Sequence, residues 1–280
     1  MKLANLGGRA ALITADGAID LATASAGRFG PDVQPLYDEW AALREWFATS
    51  DRPAATPYDE RDLLTPVPAP RQVFAIGLNY RSHAEESGMA VPDIPATFTK
   101  FPASLTGPFA DVELAGATVD WEVELVAVIG ARADRVAEAD GWEHIAGLTV
   151  GQDISERTVQ FAAGGQFSLG KSYRGFGPMG PWLVTPDEVA APDDLPLGCA
   201  IDGTTVQAAR TSDLIFSVPS LVAELSSVLP LLPGDIIFTG TPAGIGATSN
   251  PPRFLQVGET LESWIEGIGA IRNRLVAPAR

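Results

Sequence analysis

Thiols, imidazoles and positive charge are scarce in this chain. Of its 280 residues one is a cysteine, Cys199, and two are histidines, His83 and His144. A lone cysteine excludes an intramolecular disulfide and any cysteine-based zinc cluster, which fits a reducing compartment and a buried structural thiol. Two histidines leave a short list for a base that works near neutral pH. Only 19 Lys and Arg stand against 35 Asp and Glu, a net charge of −16, and no basic cluster is available to displace counterions from a phosphate backbone. Nucleic acid is therefore not an expected partner, although acidity alone identifies no substrate. No apolar run approaches the roughly 20 residues of a bilayer span, and the first residues lack a signal-peptide core, so a cytoplasmic protein without membrane contact is expected. No Gly-x-Gly-x-x-Gly follows a first strand, which removes the motif of a dinucleotide-binding fold. What remains is 46% hydrophobic, with 12 Phe and 6 Trp, the composition of a globular chain able to bury a large core in one or two domains.

Residues 10–21 read as a hairpin turning at Asp16-Gly17. Leu36, Trp40, Leu43 and Phe47 then recur at helical spacing from about Pro35, an aromatic stripe suited to packing. The alternating prolines of Thr65-Pro-Val-Pro-Ala-Pro70 favour an extended connection and set the expected domain boundary, with a small α+β domain over 1–66 and the main domain over 67–280. Beyond it, strands are expected at Gln72–Ile76, Ala96–Lys100, Val119–Val128, Leu148–Asp153, Trp182–Thr185, Leu197–Ile201, Asp235–Thr239 and Glu262–Ile265. One clear helix, Val218–Val228, stops before Pro230 and Pro233. Many strands joined by long Gly- and Pro-rich connections predict an α+β or mainly β fold built as a barrel or sandwich.

The acidic strand is the most informative segment. In Val119-Asp-Trp-Glu-Val-Glu-Leu, Asp120, Glu122 and Glu124 fall on one face and Trp121, Val123 and Leu125 on the other. A buried row of carboxylates is costly unless paired or bound to a cation, and oxygen-only donors suit Mg²⁺ or Mn²⁺ before Zn²⁺. The alternative is the solvent face of an edge strand. In Asn79-Tyr-Arg-Ser-His83-Ala-Glu85-Glu86, His83 and Glu86 would share a face of a helical turn, so that the carboxylate orients the imidazole as a general base; the other reading is a solvated helix start. Asp153 and Arg157 follow another strand, where Asp153 or Ser155 could equally be a helix cap. Lys171 lies in a glycine- and proline-rich loop, either a plain turn or a close approach to an anion. Thr239-Gly-Thr-Pro-Ala-Gly-Ile-Gly246 offers hydroxyls and amides that could hold a carboxylate, or ordinary turn chemistry. His144 has no acid or metal partner at a useful spacing and reads as structural.

Taken in order, Gly77-Leu-Asn-Tyr…His83-Ala…Glu86, Asp120…Glu122-Val-Glu124, Gly151…Asp153…Ser155…Arg157, Gly170-Lys171, Gly180-Pro-Trp and Thr239-Gly-Thr-Pro-Ala-Gly-Ile-Gly resemble the fumarylacetoacetate hydrolase family over about residues 71–276. The resemblance implies a mixed, barrel-like β-roll in a homodimer, with one Mg²⁺ or Mn²⁺ per subunit on Glu122, Glu124 and Asp153, and Asp120 in support. It implies His83 and Glu86 as the water-activating dyad, on a segment that closes as a lid in relatives, and Lys171 as a catalytic lysine. Arg157, Tyr80, Gln160 and Thr241 are the implied substrate contacts. Two departures bear on substrate preference: Glu156, where relatives often carry Ala, and the glycine-rich segment 160–169. The expected reaction is hydrolysis of a carbon–carbon bond in an acylpyruvate-like 2,4-diketo acid, giving pyruvate and a carboxylic acid. Oxaloacetate decarboxylation, keto-acid isomerisation or tautomerisation, and a non-catalytic metal-binding role are the alternatives.

Overall fold

The structure is a computed structural model that describes residues 1–162 and 164–279, so that Ala163 of the glycine-rich segment and Arg280 lie outside it. Strands dominate, in one sheet of 11 strands, one of five and a two-stranded pair. The main path of the large sheet runs Gly17–Asp20, Arg9–Thr14, Lys2–Leu6, Gly177–Val184, Ile145–Gln152, Val123–Ile129, Ile236–Phe238, Val73–Gly77, Ala96–Thr99. All its neighbours are antiparallel except Ile236–Phe238 beside Val73–Gly77. Thr204–Arg210, Pro196–Ile201, Thr260–Ile265, Gly269–Val276 and Val112–Glu113 form the second sheet. The result is a mixed β-roll that stays open, with no closed barrel among the described residues.

Strand Val123–Ile129 sits in the middle and is buried on both faces. Its side chains divide by the period of two: Val123, Leu125, Ala127 and Ile129 join the core between the sheets with Leu148, Val150, Cys199, Leu261 and Ile271. Val126 and Val128 turn the other way, onto Leu3, Leu12, Trp40, Leu43 and Phe238. The N-terminal residues thus pack on the back of the central strands, and Lys2–Leu6 hydrogen-bonds directly to Gly177–Val184. Sheet and core both run across the expected boundary at 66/67.

Most expected strands are present with ends moved by a few residues. Helix Val218–Val228 has the expected limits because Ser217 caps it, accepting from the Ser220 amide. The aromatic stripe falls on a short 3₁₀ turn, Gln34–Tyr37, followed by helix Trp40–Thr49. The acidic strand departs from expectation. It is interrupted at Trp121–Glu122, so Val119–Asp120 pairs with Ser155–Glu156 while Val123–Ile129 pairs with Ile145–Gln152. Where the ladder breaks, glutamine side chains accept the backbone amides, Gln152 from Glu122 at 2.8 Å and Gln207 from Val123 at 3.0 Å.

Candidate active site and metal centre

The edge-strand alternative for the acidic row is ruled out by burial: Asp120, Glu122 and Glu124 are at most 5% exposed. Asp120 leaves the row at the strand break. One of its oxygens accepts from the Gly246 amide at 2.7 Å, the other from Ala247 at 3.0 Å and from Arg157 Nε at 2.8 Å. Its acceptors are thus used in support. Glu122 and Glu124 stay together and meet Asp153, which emerges just past Ile145–Gln152 and whose amide donates to the Glu122 carbonyl at 2.9 Å. Carboxylate oxygens of these three residues lie within 4.8 Å of one another.

Three buried cations surround them. Lys171 Nζ is 2.7 Å from both Glu122 Oε2 and Asp153 Oδ2. Arg157 Nη1 is 2.7 Å from Glu122 Oε1 and 2.9 Å from Gln160 Oε1. Lys100, a strand-end residue to which the sequence reading gave no role, is fully buried and donates to Asp153 Oδ1 at 2.7 Å and to the Lys171 carbonyl. Burial pushes the Glu122 carboxyl up, but Lys171 and Arg157 outweigh it and hold it below the usual range. Burial also works against a charged Lys171, and Asp153 and Glu122 more than restore its proton affinity. Lys100 is shifted down by its burial.

The residues fit a divalent cation. Four buried carboxylates, Asp120, Glu122, Glu124 and Asp153, meet three buried cations, Lys100, Arg157 and Lys171, so one negative charge has no protein partner at this centre. The excess falls on Glu124, whose one hydrogen bond among the described residues is from the Gly240 amide at 2.7 Å and whose carboxyl is pushed well up by burial, Asp153 and Glu122. The Tyr80 hydroxyl is buried without a hydrogen-bond partner among the described residues and is pushed up by burial and by the Glu124 charge. An oxygen-only donor set with an excess negative charge is what a hard dication requires.

Of the residues expected to act on substrate, His83, Lys171, Arg157, Gln160 and Thr241 line one cavity of about 290 Å³ together with Glu122. Helix Arg81–Glu86 carries His83 into it, docked on the glycine turn: Ser82 Oγ accepts from Ala243, and both Glu86 oxygens lie 3.1 Å from the Gly244 amide. His83 Nδ1 is 3.6 Å from Glu86 Oε2, longer than a hydrogen bond, and is buried without a partner. Burial pushes the imidazole below its ordinary value, so the ring is neutral at pH 7. Tyr80 is placed differently from its expected role as a substrate contact: it is fully buried within the core between the sheets. The Thr241 hydroxyl is already engaged, donating to the Val123 carbonyl and accepting from Gln207, each at 2.9 Å. Glu156 faces away, accepting from Thr118 and from the Val159 amide at the start of helix Arg157–Ala162. His144 lies in the 3₁₀ segment Glu138–His144, outside the cavity. A larger cavity of about 520 Å³, bordered by Glu138, Trp142, Asp193 and Ser217, contains none of the expected site residues.

A β-roll that gathers three buried carboxylates and two lysines beside a cavity lined by Glu122, Lys171 and a neutral histidine has the parts to hold a divalent ion next to a base. The sequence model for the C-terminal domain of fumarylacetoacetate hydrolase matches residues 72–276, and the chain belongs to that family. The human oxaloacetate tautomerase FAHD2A is 40% identical over 223 residues, 79% of this chain and 71% of that protein. A crystal structure from Mycobacterium smegmatis, provisionally described as HpcE, covers all of both chains at 51% identity and a TM-score of 0.95. Maleylpyruvate hydrolase from Sphingobium, solved with manganese(II) and pyruvate, also covers both chains completely, at 27% identity and a TM-score of 0.78.

Proposed function

We propose that this enzyme hydrolyses a carbon–carbon bond in a small 2,4-diketo acid, releasing pyruvate and a carboxylic acid, and that it does so as a homodimer. The observation that carries the reading is the placement of His83, buried and neutral, in the same cavity as Glu122 and Lys171. Glu122, Glu124 and Asp153 would hold Mg²⁺ or Mn²⁺, which when bound supplies Lewis-acid polarisation of the substrate's carboxylate and 2-oxo oxygens. His83 takes a proton from water, and the hydroxide adds to the distal carbonyl. Glu86, 3.6 Å from Nδ1, stabilises the imidazolium that forms after a small closure of the helix. The bond to the methylene carbon then breaks, its electron pair passing into pyruvate enolate, which takes up a proton to become pyruvate. Lys171 places positive charge where the enolate oxygen develops, in a site largely withdrawn from water.

A second reading, tautomerisation or decarboxylation of an oxaloacetate-type acid, is favoured by the 40% identity to the human tautomerase. Decarboxylation reaches the same pyruvate enolate by loss of CO₂, tautomerisation only moves a proton on the intact acid, and neither needs attack by water. The deciding experiment follows acetylpyruvate enol absorbance with Mg²⁺ or Mn²⁺ and then with excess EDTA, quantifying pyruvate at the end. Metal-dependent loss of absorbance with equal pyruvate supports hydrolysis. Loss without pyruvate, or turnover of oxaloacetate alone, transfers the assignment to the second reading. His83→Ala should abolish hydrolysis and leave some decarboxylation.

A further inference from the structure

The cavity has two chemically distinct halves. Glu122, Arg157 and Lys171 occupy one, and Phe98 marks the seam, its ring centroid 5.2 Å from Lys171 Nζ. The cavity's apolar lining includes Leu78, Met89, Phe98, Phe161, Phe167 and Ile245. Phe167 meets Phe98 edge-on at 5.7 Å and Phe161 at 5.8 Å, so the three rings form one continuous apolar surface. Met89 and Phe161 are 54% and 59% exposed, large apolar groups facing water at the mouth of an otherwise charged site.

Among the described residues, the cavity's only Lys and Arg are Lys171 and Arg157, and both are ion-paired with Glu122. Ser87 and Thr248 add hydroxyls to the lining but no charge. A second carboxylate on the substrate would therefore meet phenylalanine rings with no free lysine or arginine to receive it, His83 being neutral and assigned to the water. An alkyl or aryl group would cover Met89 and Phe161 and gain from each methylene removed from water.

We infer that this site selects 2-oxo acids whose far end is an apolar alkyl or aryl group and discriminates against dicarboxylic ones. The inference rests on the proposed 2-oxo acid chemistry and narrows its substrate class.

Binding is the test, because it separates this inference from the reaction assigned to the site. Protein loaded with Mn²⁺ is titrated in a calorimeter with 2-oxobutanoate, 2-oxohexanoate and 2-oxooctanoate, and with 2-oxoadipate as the dicarboxylic counterpart. Kd should fall about two- to fourfold per added methylene, and 2-oxoadipate should bind at least about tenfold more weakly than 2-oxohexanoate. Phe161→Arg, at an exposed position, should shift that ratio toward 2-oxoadipate. A flat series, equal or tighter 2-oxoadipate, or an unchanged ratio in the variant would overturn the selectivity while leaving the proposed function standing. If no 2-oxo acid binds to the loaded protein, the proposed function fails and takes this inference with it.

Discussion

Charge pairing in a dry interior decides what single residues do here. The chain has three lysines in all, and two of them, Lys100 and Lys171, are buried on the same aspartate. That scarcity was the available signal for Lys100, since its neighbours in Ala96–Thr99 are mostly exposed and gave no reason to look for a site. Lys100→Met keeps the length of the side chain and removes the charge, leaving Asp153 with Lys171 alone. Breaking a buried pair in this way should cost about 3–5 kcal/mol, read from urea denaturation without added metal; a loss below about 1 kcal/mol would mean that Lys100 does not stabilise Asp153. His83 gives a second outcome at this scale. Its proton affinity in the folded chain is below the ordinary value of 6.5, so the base form persists as pH falls past 6.5. kcat/KM should stay level from pH 8 through 6.5 and decline only at lower pH, a limb governed by the depressed value. The unfolded chain binds that proton first, so the same histidine lowers stability as pH falls below 6.5. A kcat/KM midpoint at or above 6.5 would contradict the assignment of His83 as the buried base.

Among the elements, the turn Thr239–Gly246 organises the site. Its amides reach three different carboxylates: Gly240 donates to Glu124, Gly244 to Glu86 and Gly246 to Asp120. The sequence leaves those amides open between holding a carboxylate and ordinary turn chemistry, and the structure uses them on the protein's own carboxylates. Gly240 has φ +103°, and a Cβ there would stand 2.6 Å from Asn79 Cβ. Asn79 has little freedom to move, because it bonds the carbonyls of Thr239 and Phe216 and the Phe216 amide. Gly240→Ala should therefore cost about 2–4 kcal/mol from strain and clash together. It should also weaken Mn²⁺ binding at least about tenfold by displacing the donor to Glu124, with denaturation and calorimetry reading the two effects separately. Legibility followed the range of the interaction. Helix Val218–Val228 was readable because its cap, its apolar spacing and its stopping proline are local. The break at Trp121–Glu122 was not, because Gln152 and Gln207 stabilise it from distant strands. Strand Thr204–Arg210 escaped notice because its exposed threonines and arginine blur the alternation. That Glu122, Glu124 and Asp153 would gather, and that His83 and Lys171 would share a cavity with Glu122, was legible because each lies at or near the end of a strand or its following loop. Tyr80 does not line the cavity and is buried in the core, a placement decided by packing from distant strands that its own segment does not show.

For the molecule as a whole, a centre of this kind would couple metal binding to folding. The carboxylates come from Val123–Ile129, its short preceding segment and the end of Ile145–Gln152, the middle of the large sheet, while the cations come from Ala96–Lys100 and from residues 157 and 171. Such a set converges only in the folded chain, so a divalent ion has far higher affinity for that state than for the unfolded one. The unmatched negative charge at Glu124 adds to the effect: without the ion, folding leaves a surplus carboxylate in a dry interior, and with it the charge is neutralised. The net charge of −16 works in the same direction over longer range by drawing cations toward the protein at low salt. An ion at a free concentration of 100 times its Kd that binds only the folded chain adds about 2.7 kcal/mol. For a chain of this length that corresponds to a rise in Tm of about 5–10 °C. The expected pattern in thermal denaturation is a concentration-dependent rise with Mn²⁺ or Mg²⁺ that EDTA reverses. Glu124→Gln should lose most of that rise while the metal-free Tm stays level or increases, because the amide no longer brings a surplus charge into the core. A rise of equal size in Glu124→Gln would place the ion elsewhere on this acidic surface and remove the metal centre from the argument.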